Sequence, residues 1–219
     1  MKETLYKRNK QKSIDLDYLL YKPNSYEQNP QNSYPLIVFL HGGSIEENEF
    51  ETLKEKGINQ YITDGNELES LVVSPLHYDP DKFWNEQTIL AIIEEIVETH
   101  RVDANRINLM GISRGGYAVW RLAIQYSNSW ASCVVAGGAC APFVYAFKFP
   151  KLPIWAFHGG KDEIVPISVT ESMVNQLKSL GSPIKFTVVP EGGHDPTCWD
   201  EAFLNPAVYD WVLRQVLSK

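Results

Sequence analysis

Cysteine is scarce in this 219-residue chain: Cys133, Cys140 and Cys198 are the only three, at spacings that match no metal-binding pattern. An odd, small number suits a reducing compartment and small buried side chains, with a single disulfide left open. No apolar run approaches a membrane span, and the opening MKETLYKRNKQK is basic but not followed by an apolar core of signal-peptide length. No basic patch interleaved with aromatics occurs. The formal net charge of −7 is spread along the chain, which favours solubility and argues against nucleic acid or an anionic membrane as a partner. These absences together favour a cytoplasmic location. Without low-complexity tracts, internal repeats or a Gly-, Pro- or Ser-rich linker, one domain over residues 1–219 is expected.

What is present is an alternation. DLDYLLYKP (15–23) alternates like a strand, and PLIVFLHGG (35–43) is a continuous apolar run ending in glycines, as a strand covered on both faces would be. Residues 70–76, 106–111, 132–138, 153–160 and 184–190 repeat that grammar. Helical stretches are expected between them at 48–56, 86–100, 116–126, 167–180 and 206–217. In the second of these, Ile89, Ile92, Ile93 and Val97 fall along one face. The pattern predicts an α/β fold: a mostly parallel sheet, helices on both faces, and an antiparallel N-terminal edge over about residues 3–22. Such sheets carry ligands beyond the carboxyl ends of their strands, where this chain places several glycine pairs.

One of those ends reads Gly111-Ile112-Ser113-Arg114-Gly115, a G-x-S-x-G pattern between a predicted strand and a predicted helix. In a nucleophile elbow the serine occupies a tight strand-to-helix turn, and small neighbours let the backbone pass. Gly and Ser are common in turns, so the pattern alone says little. A serine hydroxyl also needs a base, and the base needs a carboxylate to fix its tautomer. Of five histidines, His77 and His100 have no glycine context, while His41 and His158 stand in HGG turns where a ring bonds locally. His194, in PEGGHDP after the last strand, is the candidate base. Asp162 in FHGGKDEIVPI is the candidate acid, in the order serine, acid, histidine; its rival reading is a helix cap. Glu163 falls one position late, and Asp195 adjoins the histidine too closely to orient it. Two backbone donors would complete the site: the N–H of Arg114, and that of Gly43 in the HGG turn, with Ser44 as the alternative.

As a set, these segments resemble the α/β-hydrolases, in particular compact carboxylesterases, dienelactone hydrolases and prolyl-oligopeptidase-like enzymes. The resemblance runs over nearly the whole chain, including an H-G-x-x-D-x-x-V-P loop at 158–166. It implies Ser113 as nucleophile, His194 as general base, Asp162 as acid, and Gly43 and Arg114 at the oxyanion positions, with no metal or organic cofactor. It implies ester hydrolysis through an acyl-enzyme on a small-molecule or polymer-borne ester. A peptidase, or a silent binding protein of the same fold, are the rival readings. Three departures bear on substrate: arginine at 114, acidic residues at Glu46, Glu47 and Glu49, and the aromatic segment ACAPFVYAFKFP. Too few residues separate Gly138 from Pro153 for a large lid. Trp84, Trp199, Phe143 and Tyr145 are candidate substrate contacts, although packing alone also accounts for aromatic residues.

Overall fold

A computed structural model describes residues 16–43, 50–79, 82–140 and 142–217. Among them seven strands build one sheet in the order β1-β3-β2-β4-β5-β6-β7. These are β1 (Tyr18–Tyr21), β2 (Tyr34–Leu40), β3 (Leu71–Pro75), β4 (Val102–Ile112), β5 (Ser132–Ala136), β6 (Ile154–Gly159) and β7 (Lys185–Val189). β1 pairs antiparallel with β3, and every other pairing is parallel. The expected antiparallel edge is therefore β1; residues 3–15 of that expectation lie outside the described residues. The helices are α1 (Ser25–Gln28), α2 (Phe50–Lys54), α3 (Gly57–Thr63), α4 (Glu86–Thr99), α5 (Arg114–Gln125), α6 (Ile167–Ser179), α7 (Pro196–Phe203) and α8 (Pro206–Leu213).

The continuous apolar run in β2 is explained by its two faces. Leu36, Val38 and Leu40 enter one core with α4, α5 and α6, while Ile37 and Phe39 enter the other with α3, α7 and α8. Because successive side chains of a strand point to opposite faces, a doubly covered strand needs apolar residues at every position. On α4 the buried stripe is Ile89, Ile92, Ile93 and Ile96, so Ile96 takes the place expected for Val97, which packs at the margin. Each such side chain contributes about 1.5–3 kcal/mol by leaving water. Asn85 starts this helix by accepting the N–H of Thr88.

Three helices lie outside the sequence expectations: the single turn of α1, and α3 and α7, which both matter to the site. α3 starts at Gly57, whose φ of +54° follows an extended Lys56 that supplies no side-chain cap. α7 starts at Pro196 after Asp195, whose side chain accepts the N–H of Thr197. An acidic cap followed by proline at the first helical position is a start signal that was present in the sequence. The last helix stops at Leu213, short of the expected Leu217; the N–H of Leu217 bonds instead to the carbonyl of Asn105 in β4.

Candidate active site

Ser113 stands between β4 and α5 with φ 51° and ψ −112°, a conformation rare for any residue with a side chain. Its backbone is pinned on both sides. The N–H donates to the carbonyl of Ala136 at 2.8 Å, and its carbonyl accepts the N–H of Tyr117 at 2.9 Å. The glycines of the motif supply room: a Cβ on Gly111 would lie 2.5 Å from the carbonyl carbon of Gly115. The chain thus holds the serine side chain out at the carboxyl edge of the sheet.

Two loops from later strands meet it there. His194, after β7, places Nε2 2.7 Å from Ser113 Oγ and Nδ1 2.8 Å from Asp162 Oδ2, the acid lying just after β6. A carboxylate can only accept, so Nδ1 carries the proton and the lone pair of Nε2 faces the serine hydroxyl. Asp162 divides its oxygens: Oδ1 accepts the N–H groups of Ile164 and Val165 at 2.9 and 2.7 Å, leaving Oδ2 for the ring. Asp162 is thus not the helix cap of the rival reading, since α6 starts after Pro166 with no side-chain cap; it closes the turn ahead of that helix and keeps Oδ2 facing His194. Burial alone would raise its pKa, but the Val165 amide, the His194 imidazole and the Ile164 amide outweigh it and hold the carboxyl below its usual value.

The acid loop has a buttress. His158 is fully buried; its Nε2–H donates to the carbonyl of Val165 at 2.8 Å, while Nδ1 accepts the Thr170 hydroxyl at 2.9 Å. The same Nε2 stands 3.4 Å from Asp162 Oδ2. The turn after β2 has a second buttress. His41 accepts the N–H of His77 at Nε2 (3.0 Å), which leaves Nδ1–H to donate to the carbonyl of Gly42 at 3.1 Å. Burial lowers the His41 pKa to about 4, so this ring is neutral at physiological pH.

Trp84 belongs to that buttress rather than to the substrate. Its indole N–H donates to the carbonyl of His41 at 3.2 Å, and its ring packs edgewise against His41 and His77 at 5.0 and 4.9 Å. At 7% exposure it is part of the core, which corrects the contact expected of it. Phe143 and Tyr145 lie on a 3-10 helix (Phe143–Lys148) between β5 and β6, exposed and outside the walls of the cavity at Ser113. Trp199 is different: it lines that cavity, and its ring stands perpendicular to His194 with centroids 4.9 Å apart.

The cavity holds about 430 Å³ and runs between α3 and α7, with Gly43, Lys56, Gln60, Ser113, His194 and Trp199 in its walls. Gly43 takes φ +63° with open space on its side-chain side. Arg114 is the first residue of α5, where a helix leaves its amides without internal acceptors. Its guanidinium turns away to the loop before α4, donating to the carbonyl of Lys82 at 3.3 Å and lying over the Phe83 ring. Ser44, Glu46, Glu47 and Glu49 lie outside the described residues. Among the described residues no cluster of three or more His, Cys, Asp or Glu is placed to hold a metal ion, and no helix is long and apolar enough to cross a membrane.

The fold and the convergence of these three loops define an α/β-hydrolase. Within that class the chain belongs to the phospholipase/carboxylesterase family, whose model matches residues 81–201. NocK of Nocardia uniformis subsp. tsuyamanensis, named as an esterase, is 27% identical over 168 residues, which is 70% of this chain and 48% of NocK. A Methylorubrum extorquens protein named as a carboxymethylenebutenolidase is 26% identical over 105 residues, covering 44% of this chain and 36% of its own. The aligned stretches thus span half or less of these curated relatives. Among solved structures, a thermostable esterase superposes with a TM-score of 0.75 at 23% identity, over 93% of this chain and 60% of its own. A ferulic acid esterase gives 0.69 at 19%, over 90% and 91%. At such identities these structures establish the shared fold.

Proposed function

We propose that this protein is a serine esterase that hydrolyses carboxylic esters of small or polymer-borne alcohols through an acyl-enzyme. The observation that carries the reading is the continuous hydrogen-bonded chain from Ser113 Oγ through His194 to Asp162, at 2.7 and 2.8 Å, opening on a cavity of about 430 Å³. The serine oxygen attacks the ester carbonyl carbon while its proton passes to His194 Nε2. The imidazolium is stabilised by Asp162, whose depressed pKa keeps it ionised at neutral pH. The tetrahedral oxygen is held by the amides of Gly43 and Arg114; one such donor is worth about 3–4 kcal/mol of transition-state stabilisation. As the carbon–oxygen bond to the alcohol breaks, His194 returns its proton to the leaving oxygen. Water, deprotonated by the same ring, then releases the acid and regenerates the serine.

Ser113→Ala tests this reading. Wild type should turn over p-nitrophenyl acetate and the variant should not; equal turnover by both would overturn it. Running p-nitroanilides of the same acyl groups alongside separates esterase from peptidase, and the esterase reading expects the esters to be much the better substrates.

A further inference from the structure

Helix α7 begins directly after His194 and turns one face toward the cavity. Pro196, Trp199 and Asp200 line it, at positions spaced as one helical face requires, while Cys198, Ala202 and Phe203 point into the core. The position of this wall is set by chemistry as well as by folding. In the reading proposed above, His194 must hand its proton to the leaving oxygen, so the alcohol of the ester departs from the side of the imidazole. That side continues along α7.

The carboxylates on this wall are not equivalent. Asp195 is engaged in starting its helix, with Oδ1 accepting the N–H of Thr197 at 2.9 Å. Asp200 makes no ion pair or side-chain hydrogen bond among the described residues. Partial burial raises its pKa, and no neighbouring cation or donor offsets that rise. Asp200 is solvent-exposed at the rim of the cavity that Trp199 and the serine hydroxyl share, so its carboxylate is a place for a donor that the protein itself does not supply. Glu55, Lys56 and Gln60 line the opposite wall, at and before α3, so polar groups face the alcohol from both sides, while Asp200 is, beside the capping Asp195, the carboxylate on the side of the imidazole.

We propose that Asp200 is a specificity-determining residue, which selects esters whose alcohol carries a hydroxyl or ammonium group by accepting a hydrogen bond from it. The proposal rests on the serine-esterase reading and adds to it the chemistry of the leaving group. Trp199 flanks the carbon chain of such an alcohol, and Asp200 takes its polar end.

A matched series of acetates tests it: pentyl, 4-hydroxybutyl and 4-(dimethylammonio)butyl acetate, compared by kcat/KM on the same protein sample. Because only ratios are read, the fraction of a variant that folds does not enter. Wild type should prefer each polar ester over pentyl acetate by about threefold, the scale of one interaction with a solvent-exposed charged group. Asp200→Leu should bring both ratios to about one. Asp200→Asn should keep the preference for the hydroxyl ester, since an amide oxygen still accepts, and lose that for the ammonium ester. Wild-type ratios near one, or ratios unmoved by Asp200→Leu, would overturn the proposal and leave the esterase reading standing. Failure of wild type on every ester would overturn both.

Discussion

Gly115 packs against Leu40 so closely that a Cβ on the glycine would stand 1.9 Å from the Leu40 carbonyl oxygen. The obstacle is backbone of the neighbouring strand β2, which cannot swing aside as a side chain can. The second glycine of the serine motif is therefore a packing requirement between α5 and the central sheet. Gly115→Ala should destabilise the protein by about 3 kcal/mol or more, at the upper end of overpacking costs, and should displace Ser113. Thermal denaturation and p-nitrophenyl acetate turnover check both effects; an unchanged melting temperature would contradict the contact.

Asp162→Asn removes a charge and changes little shape. Because Nδ1–H of His194 needs an acceptor, the amide promotes the wrong tautomer, and kcat should fall by about 10³- to 10⁴-fold with the fold retained. The stabilising contribution of the native carboxylate has a defined window. A folded pKa below the ordinary value of about 3.9 means that the contribution is fully present above that pH and fades as acid takes the pH down through the depressed value. Denaturant titrations of both proteins at neutral and acidic pH should converge on acidification.

His41→Gln should act on both stability and turnover. The folded pKa of about 4 lies below the ordinary value of 6.5, so between those values the unfolded chain binds a proton that the folded one refuses. Wild-type stability from this site is thus complete above pH 6.5 and declines as pH falls toward 4, by about 3 kcal/mol over the window. The variant should lack that decline. With the bond to Gly42 loosened, kcat should drop by about tenfold or more while KM changes little, as expected for donors misaligned on the oxyanion.

Trp84→Ala should cost about 3–5 kcal/mol in stability, the range for a buried aromatic truncated to alanine. The ranking of ester substrates should stay as in wild type. A changed ranking with unchanged stability would return Trp84 to the substrate side of the site.

The role of Trp84 also shows where the sequence stops being informative. A tryptophan in a loop before a helix reads equally well as a cavity wall or as a core residue; only its neighbours decide, and His41, which takes its indole N–H, is 43 residues away along the chain. Ser113, Asp162 and His194 were legible because their backbone surroundings leave a signature: glycines where strands end, and loops in a fixed order along the sheet. The strands were legible for the same reason, since β2 and β5 are buried on both faces and carry no polar break. Helix α7 was missed despite Asp195 and Pro196, because its buried side chains, Cys198, Ala202 and Phe203, make a weak apolar stripe, whereas the equally short α8 is apolar at most positions. Asp200 could not be singled out at all, as its significance lies in lacking a partner in three dimensions.

The most direct test of the central claim is covalent labelling. An alkyl fluorophosphonate should modify the native protein once, and peptide mass spectrometry should place the adduct on Ser113. Labelling should vanish in Ser113→Ala and slow by orders of magnitude in His194→Ala. An adduct on any other residue, or ester turnover that persists without labelling of Ser113, would contradict the account.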